Sequence, residues 1–292
     1  NQYNKPLLGS IVKPKTGVSS KILLEMVKEL IAGGVDFIKE DEIMSNPSFC
    51  SLEERVPLIM DYIKSIGSNV IYSVCINSDP LHLIQRIYDL VDLGANSVHV
   101  NIWSGIGSYK SIRDLDLPIF IHYQKSGDKV ITDPRNPYQI SWKVLCYLAG
   151  LCGVDTIHAG MYGGYLSDSE IDLKNIFNIL HNKNVVPALS CGMHPGLINK
   201  INRVLGTNYM ANVGGAIHGH PDGTLAGAMA MRQAIDGNYD KEYYTAIKKW
   251  GLVDKGGTIM IKPQFEGLQD FKDGIGLAQS GGKRFFVDKK GH

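Results

Sequence analysis

Four charged residues close one apolar segment near the start of the chain. The segment "GGVDFIKEDE", Gly33 to Glu42, ends on Lys39, Glu40, Asp41 and Glu42. In a strand, residues i and i+2 share a face, so Lys39 and Asp41 project together. Glu42 falls where the strand breaks and can turn inward to join them. Two carboxylates aimed at one place suit a hard divalent cation such as Mg²⁺, which takes one or two carboxylates together with water and substrate oxygens. The lysine beside them has two readings. In one it is the acids' counter-ion and no metal binds. In the other, burial and neighbouring cations keep its amine uncharged, and it reacts with CO₂ to give a carbamate, a third oxygen ligand. Residue types alone favour the plain ion pair.

Further reactive residues stand at the ends of other apolar runs. Lys13 and Lys15 follow the first run, Asn101 ends the fourth, His122 the fifth and His158 the sixth. Ser190 and Gly192 end the seventh, and Gly214 and Gly215 lie late in the eighth. Glycines at such places let the backbone approach closely and expose a nest of N–H donors suited to phosphate. Some residues have plainer readings. His99 alternates with Val98 and Val100 and reads as a satisfied histidine packed under helices. His218 and His220, in "HGHP", read as loop-stabilising. Trp142, Cys146 and Tyr147 read as helix-face core. His218 and His220 could ligate zinc only with partners the nearby sequence does not offer.

Residues placed this way need a scaffold that brings many strand ends to one rim. Strand-like and helix-like segments alternate strictly: "PLLGSIVKP" and "SSKILLEMVKELIAGG", "VDFIKEDE" and "SLEERVPLIMDYIKSIG", "NVIYSVCINS" and "DPLHLIQRIYDLVDLG", and so on to "YMANVGGAIHG" and "TLAGAMAMRQAID". Eight such units over about 230 residues predict an α/β fold, a (β/α)₈ TIM barrel, over residues 1–237. Residues 238–292 are expected to form a C-terminal helix and an extended tail on the barrel or on a neighbouring subunit. Lys262 and Arg284 are the tail's nearest candidates for phosphate. No GxGxxG follows the first strand to support a dinucleotide fold.

Composition narrows the partners. Lysine and arginine number 30 against 29 acids, a net charge of +1, which gives no electrostatic case for nucleic acid or an acidic membrane. The five cysteines are scattered, mostly in apolar runs, and read as buried free thiols of a reducing compartment. No apolar stretch reaches the ~18 residues of a membrane span, and a cytoplasmic protein is the expectation.

These segments resemble one family, the RuBisCO large-subunit superfamily. "GGVDFIKEDE" is similar to the family's carbamylated-lysine signature, and "LLGSIVKPKTG" to its first-strand segment with a catalytic lysine at Lys13. "IFIHYQ" resembles the fifth-strand segment with an active-site histidine, here His122, and "DTIHAG" the sixth-strand one, here His158. "SCGMHPG" and "NVGGAIHGHPDG" resemble the phosphate segments, and "DPRNPYQIS" echoes the run before the fifth helix. The resemblance implies Mg²⁺ and a carbamate on Lys39, completed by Asp41 and Glu42, and it turns the reading of Lys39 away from the ion pair. It also implies a homo-oligomer, a dimer or a multiple of dimers, and an α+β domain before the barrel. This sequence begins almost at the first strand.

Two departures bear on the reaction. Carboxylases of this family carry a CO₂-orienting lysine in the loop after the sixth strand, and this chain places Tyr165 at or next to that position. They carry a phosphate-gripping arginine after the fifth-strand histidine, and this chain places Tyr123 there. The resemblance is therefore strongest to RuBisCO-like proteins, such as the enolase acting on 2,3-diketo-5-methylthiopentyl 1-phosphate. The expected activity is Mg²⁺-dependent enolisation or isomerisation of a phosphorylated small molecule. Lys13, Lys15 or the Lys39 carbamate would serve as base, and His122 would act on the oxyanion. His158, Ser190, Gly192, Gly214 and Gly215 would hold substrate. A ribulose-bisphosphate carboxylase and a catalytically silent barrel are the alternatives.

Overall fold

Eight short strands carry the site: β1 (Leu7–Ile11), β2 (Phe37–Lys39), β3 (Ile71–Cys75), β4 (Ser97–Asn101), β5 (Phe120–Gln124), β6 (Thr156–Gly160), β7 (Val186–Leu189) and β8 (Met210–Val213). They pair parallel in chain order and β8 pairs back to β1, so the predicted barrel closes. The computed structural model describes residues 4–165 and 167–247, and then the strand segments 250–253, 259–265, 267–268, 275–280 and 283–288.

The helices between them are α1 (Ser20–Ala32), α2 (Leu52–Ser65), α3 (Pro80–Asp92), α4 (Ile106–Arg113), a single turn α5 (Lys129–Thr132), α6 (Trp142–Leu151), α7 (Glu170–His181), α8 (Ile198–Leu205), a short α9 (Gly215–His218), α10 (Gly223–Asp236) and α11 (Lys241–Ile247). Helix α1 shows why they form. Ser19 caps it by accepting from Ile22 N, and Leu23, Val27 and Leu30 bury one face at helical spacing. Burying such a side chain stabilises by roughly 1.5–3 kcal/mol. Nearly every other large buried side chain belongs to this same layer between strands and helices.

A repeated device fixes the base of the barrel. Asp36, Asn96 and Asp155 each precede an even-numbered strand and accept the N–H of the strand before it. The bonds are from Leu8 N at 2.7 Å, Tyr72 N at 2.9 Å and Ile121 N at 2.7 Å. Arg232 Nη2 braces Asp36 at 2.6 Å and Arg113 Nη2 braces Asp155 at 2.5 Å.

Inside the barrel, chemistry changes with depth. Phe37, Ala188 and Met210 form an apolar plug at the base, with Leu7, Ile71, Phe120 and Val186 against it. Two residues further along the same strands stand Lys39, Ser73, His122 and Asn212, all buried. The rim follows. His99 lies in register with His122 inside this polar layer, not under the helices as expected, and neither ring has a hydrogen-bond partner among the described residues. After α11 the chain forms the antiparallel pair β9 (Trp250–Val253) and β10 (Ile259–Phe265), then the sheet β11 (Gly267–Leu268), β12 (Ile275–Ser280) and β13 (Lys283–Asp288). The side chains of Lys262 and Arg284 lie outside the described residues.

Candidate active site

Alternation splits the charged run. Lys39 and Asp41 turn into the barrel mouth, and Glu40 turns outward into the helix layer. Lys39 has no exposure; its Nζ donates to Glu40 O at 2.9 Å and lies 3.7 Å from Glu42 Oε2. Burial lowers the pKa of its amine, and that loss of solvation outweighs the attraction of Glu42 and Asp41. Asp41, equally buried, accepts a short hydrogen bond from Lys13 Nζ. Lys13 in turn lies against Gly214 at the end of β8.

Glu42 is held from the other side of the mouth. Gln124 Nε2 donates to Ser126 Oγ at 2.6 Å, and Ser126 Oγ donates to Glu42 Oε1 at 3.0 Å. Burial would raise the Glu42 carboxyl, but Lys39, a backbone N–H, Lys13 and the Ser126 hydroxyl bring it down to about 2. It is ionised at neutral pH. Asn77 Nδ2 donates to Glu42 O at 2.7 Å and fixes the turn that carries it.

Beside this cluster opens a cavity of about 370 Å³ lined by Lys125, Ser126, His158, Gly160, Ser190 and Cys191, among others. His158 Nδ1 and Ser190 Oγ are 3.1 Å apart. Burial, with Lys39 nearby, lowers His158 to about 3, so its ring is neutral. The loop after β6 lies across the end of β7. A Cβ on Gly192, whose φ is +100°, would sit 2.6 Å from Tyr165 N, so only glycine fits there.

The structure thus gathers Lys13, Lys39, Asp41, Glu42, His158 and Ser190 at one rim, with Gly192 and Gly214 beside them. Lys15 and Gly215 are exposed outside the cluster. His122 is fully buried in the layer that also holds Lys39, its ring 4.7 Å from that of His158, and burial pushes its pKa well down. The rim positions of β5 and the loop after it are Gln124 and Lys125. Tyr123 is a correction, because it faces the helices, stacked on Tyr109 at 4.2 Å and edge-on to Trp142. Lys125, whose Nζ lies 4.5 Å from the centre of the Trp142 ring, is a cation that lines the cavity. Cys191 also went unpredicted; it is exposed rather than buried, with a φ of +77° rare for a residue other than glycine.

The donor set can be tested against a divalent cation. Among the described residues no group of three or more His, Cys, Asp and Glu side chains is placed to hold a metal. Two carboxylates stand beside Lys39, the number Mg²⁺ commonly takes from a protein, and a carbamate on the lysine would add a third protein oxygen. A fully buried amine with its charge disfavoured is the form that can react with CO₂. The residues fit.

Comparison with known proteins agrees in extent. The family described as "Ribulose bisphosphate carboxylase large chain, catalytic domain" matches residues 1–251, and "WG containing repeat" matches residues 250–283. The ribulose bisphosphate carboxylase of Thermococcus kodakarensis is 32% identical over 290 residues, covering 86% of this chain and 65% of that protein. A ribulose bisphosphate carboxylase-like protein of Archaeoglobus fulgidus is 30% identical over 260 residues, covering 85% and 59%. Among solved structures, a rubisco-like protein from Alicyclobacillus acidocaldarius superposes with a TM-score of 0.76 at 28% identity, covering 85% of this chain and 68% of that one. An octameric carboxylase/oxygenase from Pyrococcus horikoshii gives 0.74 at 31%, covering 80% and 58%. The chain spans 65% of the length of the Thermococcus carboxylase. With the barrel closed, its mouth built as described and the match running through residue 251, the chain belongs to the RuBisCO large-chain catalytic-domain family.

Proposed function

We propose that the chain enolises a phosphorylated ketose or diketone-like compound, with Mg²⁺ as cofactor and CO₂ taken up as a carbamate on Lys39. One observation carries the reading: a lysine without exposure, its charge disfavoured by burial, held beside two carboxylates. The uncharged Nζ attacks the carbon of CO₂, a C–N bond forms, one C=O electron pair moves onto oxygen, and nitrogen releases a proton to solvent. The new oxygen, with Asp41 and Glu42, would hold Mg²⁺. That ion, when bound, polarises a substrate carbonyl as a Lewis acid.

The chain's own residues do the rest. Lys13, tied to Asp41 at the rim, and the Lys39 carbamate oxygen are the candidate proton acceptors beside the cation site, while Lys15 is exposed to solvent. Neutral His158 and Ser190 Oγ, 3.1 Å apart, share a proton and offer one donor and one acceptor to a hydroxyl or carbonyl. Lys125 supplies positive charge to the cavity, and the backbone N–H groups at Gly192 and Gly214 are the proposed donors to a phosphate. Similar carboxylases described as octameric and dimeric support a homo-oligomer.

Carboxylation is the second reading. Lys125 favours it, because it gives the cavity a cation that could meet a second phosphate. Tyr165, 78% exposed in the loop after β6, opposes it. The test is to incubate the chain with Mg²⁺, ¹⁴C-bicarbonate and, in turn, ribulose bisphosphate and a phosphorylated 2,3-diketone in D₂O. Enolisation predicts deuterium at the carbon next to the carbonyl and no acid-stable ¹⁴C. Acid-stable label points to the carboxylase, and neither signal with either compound leaves the barrel catalytically silent.

A further inference from the structure

The charged run has four members and the cation site uses three. Glu40, between Lys39 and Asp41, points the other way and has no exposure. Arg55 of α2, also without exposure, grips it with both arms of the guanidinium: Nε to Oε1 at 2.7 Å and Nη2 to Oε2 at 2.9 Å. Tyr72 Oη donates to Oε1 at 2.7 Å and Cys75 N to Oε2 at 2.8 Å. The remaining reach of Arg55 goes to the loop that follows Glu42, with bonds to Met44 O at 2.9 Å, Ser45 O at 2.8 Å and Cys50 O at 2.6 Å. One side chain therefore holds both the middle of the charged run and the loop that leaves it.

We propose that Arg55 is the positioning residue of the cation site, fixing through Glu40 and the loop carbonyls the separation of Lys39, Asp41 and Glu42. The inference rests on the reading of those three residues as the site. Ladder bonds from Val12 N to Lys39 O at 2.9 Å and from Glu40 N to Ser73 O at 3.1 Å hold the backbone of residues 39 and 40. Those bonds end there. Asp41 and Glu42 lie beyond the last strand residue, where Asn77 holds Glu42 O and the Arg55 bonds hold Glu40 before them and the loop after them. A buried ion pair replaced by apolar side chains is often no less stable, so stability alone does not account for this one. A planar fork with donors in five directions suits two carboxylate oxygens and three carbonyls; a lysine in its place offers a point charge.

The test is the Mg²⁺ affinity of the full chain by titration calorimetry, with and without saturating CO₂, alongside its melting temperature. The wild-type chain is expected to bind Mg²⁺ more tightly with CO₂. Arg55→Lys is expected to melt lower and to weaken that CO₂-dependent binding by about 10–100-fold, the usual cost of losing a partner behind a ligand. Tyr72→Phe, which removes one bond to Glu40 and leaves the charges paired, is expected to show a smaller loss in the same direction and keeps the test open should Arg55→Lys not fold. Arg113→Lys, at the base of the barrel, is expected to lower the melting temperature while leaving Mg²⁺ affinity within about twofold, as a distant site should. Wild-type affinity retained in folded Arg55→Lys or in Tyr72→Phe overturns the positioning role alone. A wild-type chain whose Mg²⁺ binding ignores CO₂ overturns the proposed function and this inference together.

Discussion

Replacing Lys39 with methionine should make the chain more stable while abolishing its activity. The amine has no exposure and one hydrogen bond, to Glu40 O, and burial lowers its pKa below that of an unfolded lysine. Between the lowered value and the unfolded one near 10.4, the unfolded chain binds a proton that the native chain does not. Stability therefore rises with pH across that window, by up to about 1.4 kcal/mol per unit, and the full cost of the buried amine is present below it. Exchanging a buried ion pair for apolar packing often gains 1–4 kcal/mol, and Glu42 loses a counter-ion here, so a gain of about 1–2 kcal/mol is expected near neutral pH. Buried Tyr72 and Tyr109 have raised pKa values and make stability fall at high pH, but Lys39 acts on neither, so they do so in both proteins alike. The difference between the two curves isolates Lys39. Urea unfolding without CO₂ or Mg²⁺, from pH 6 to 9.5, should show the variant's advantage shrinking as pH rises. A variant less stable than wild type by a constant amount at every pH would refute the reasoning.

Other expectations follow from particular contacts. Asp155→Ala removes the acceptor of Ile121 N and Arg113 and should cost about 1.5–3 kcal/mol in denaturant unfolding, with Mg²⁺ affinity unchanged. Gly192→Ala forces a Cβ onto Tyr165 N and should displace the loop after β6, seen as faster proteolysis there and a raised KM. Lys125→Ala should raise KM for a phosphorylated substrate and flatten its dependence on ionic strength, with little change in melting temperature. Replacing His158 with glutamine should leave the pH profile of kcat unchanged between pH 5 and 8, because a group lowered to about 3 does not titrate there.

Much of the fold was legible because each strand–helix unit carries its own signals, such as Ser19 ahead of α1 and Gly33 after it. The facing of Lys39 and Asp41 followed from strand alternation alone. Alternation cannot report depth, however. His122 and Gln124 share a face, and only the register with β4 and β6 sets which one reaches the rim. The same alternation, applied to Tyr123, turns it outward, whereas Lys125 lies one residue beyond the end of β5, where alternation no longer sets a face. Arg55 also left a trace, since it occupies the stripe of Leu52, Val56, Ile59 and Ile63, where a charge needs a buried partner. In the tail, the expected helix is α11, Lys241–Ile247, but the strands that follow it, such as Trp250–Val253, are not separable from an extended arm in the sequence, because short alternating runs without a long apolar stripe give little to choose on.

The central claim is that Lys39 takes up CO₂ to complete a cation site with Asp41 and Glu42. The direct measurement is the ¹³C NMR spectrum of the chain equilibrated with ¹³CO₂, with and without Mg²⁺, for wild type and Lys39→Gln. The account predicts one slowly exchanging carbamate resonance in wild type that grows with Mg²⁺ and is absent from Lys39→Gln. A wild-type spectrum with no such resonance at saturating CO₂ and Mg²⁺, or one that persists in Lys39→Gln, would contradict it.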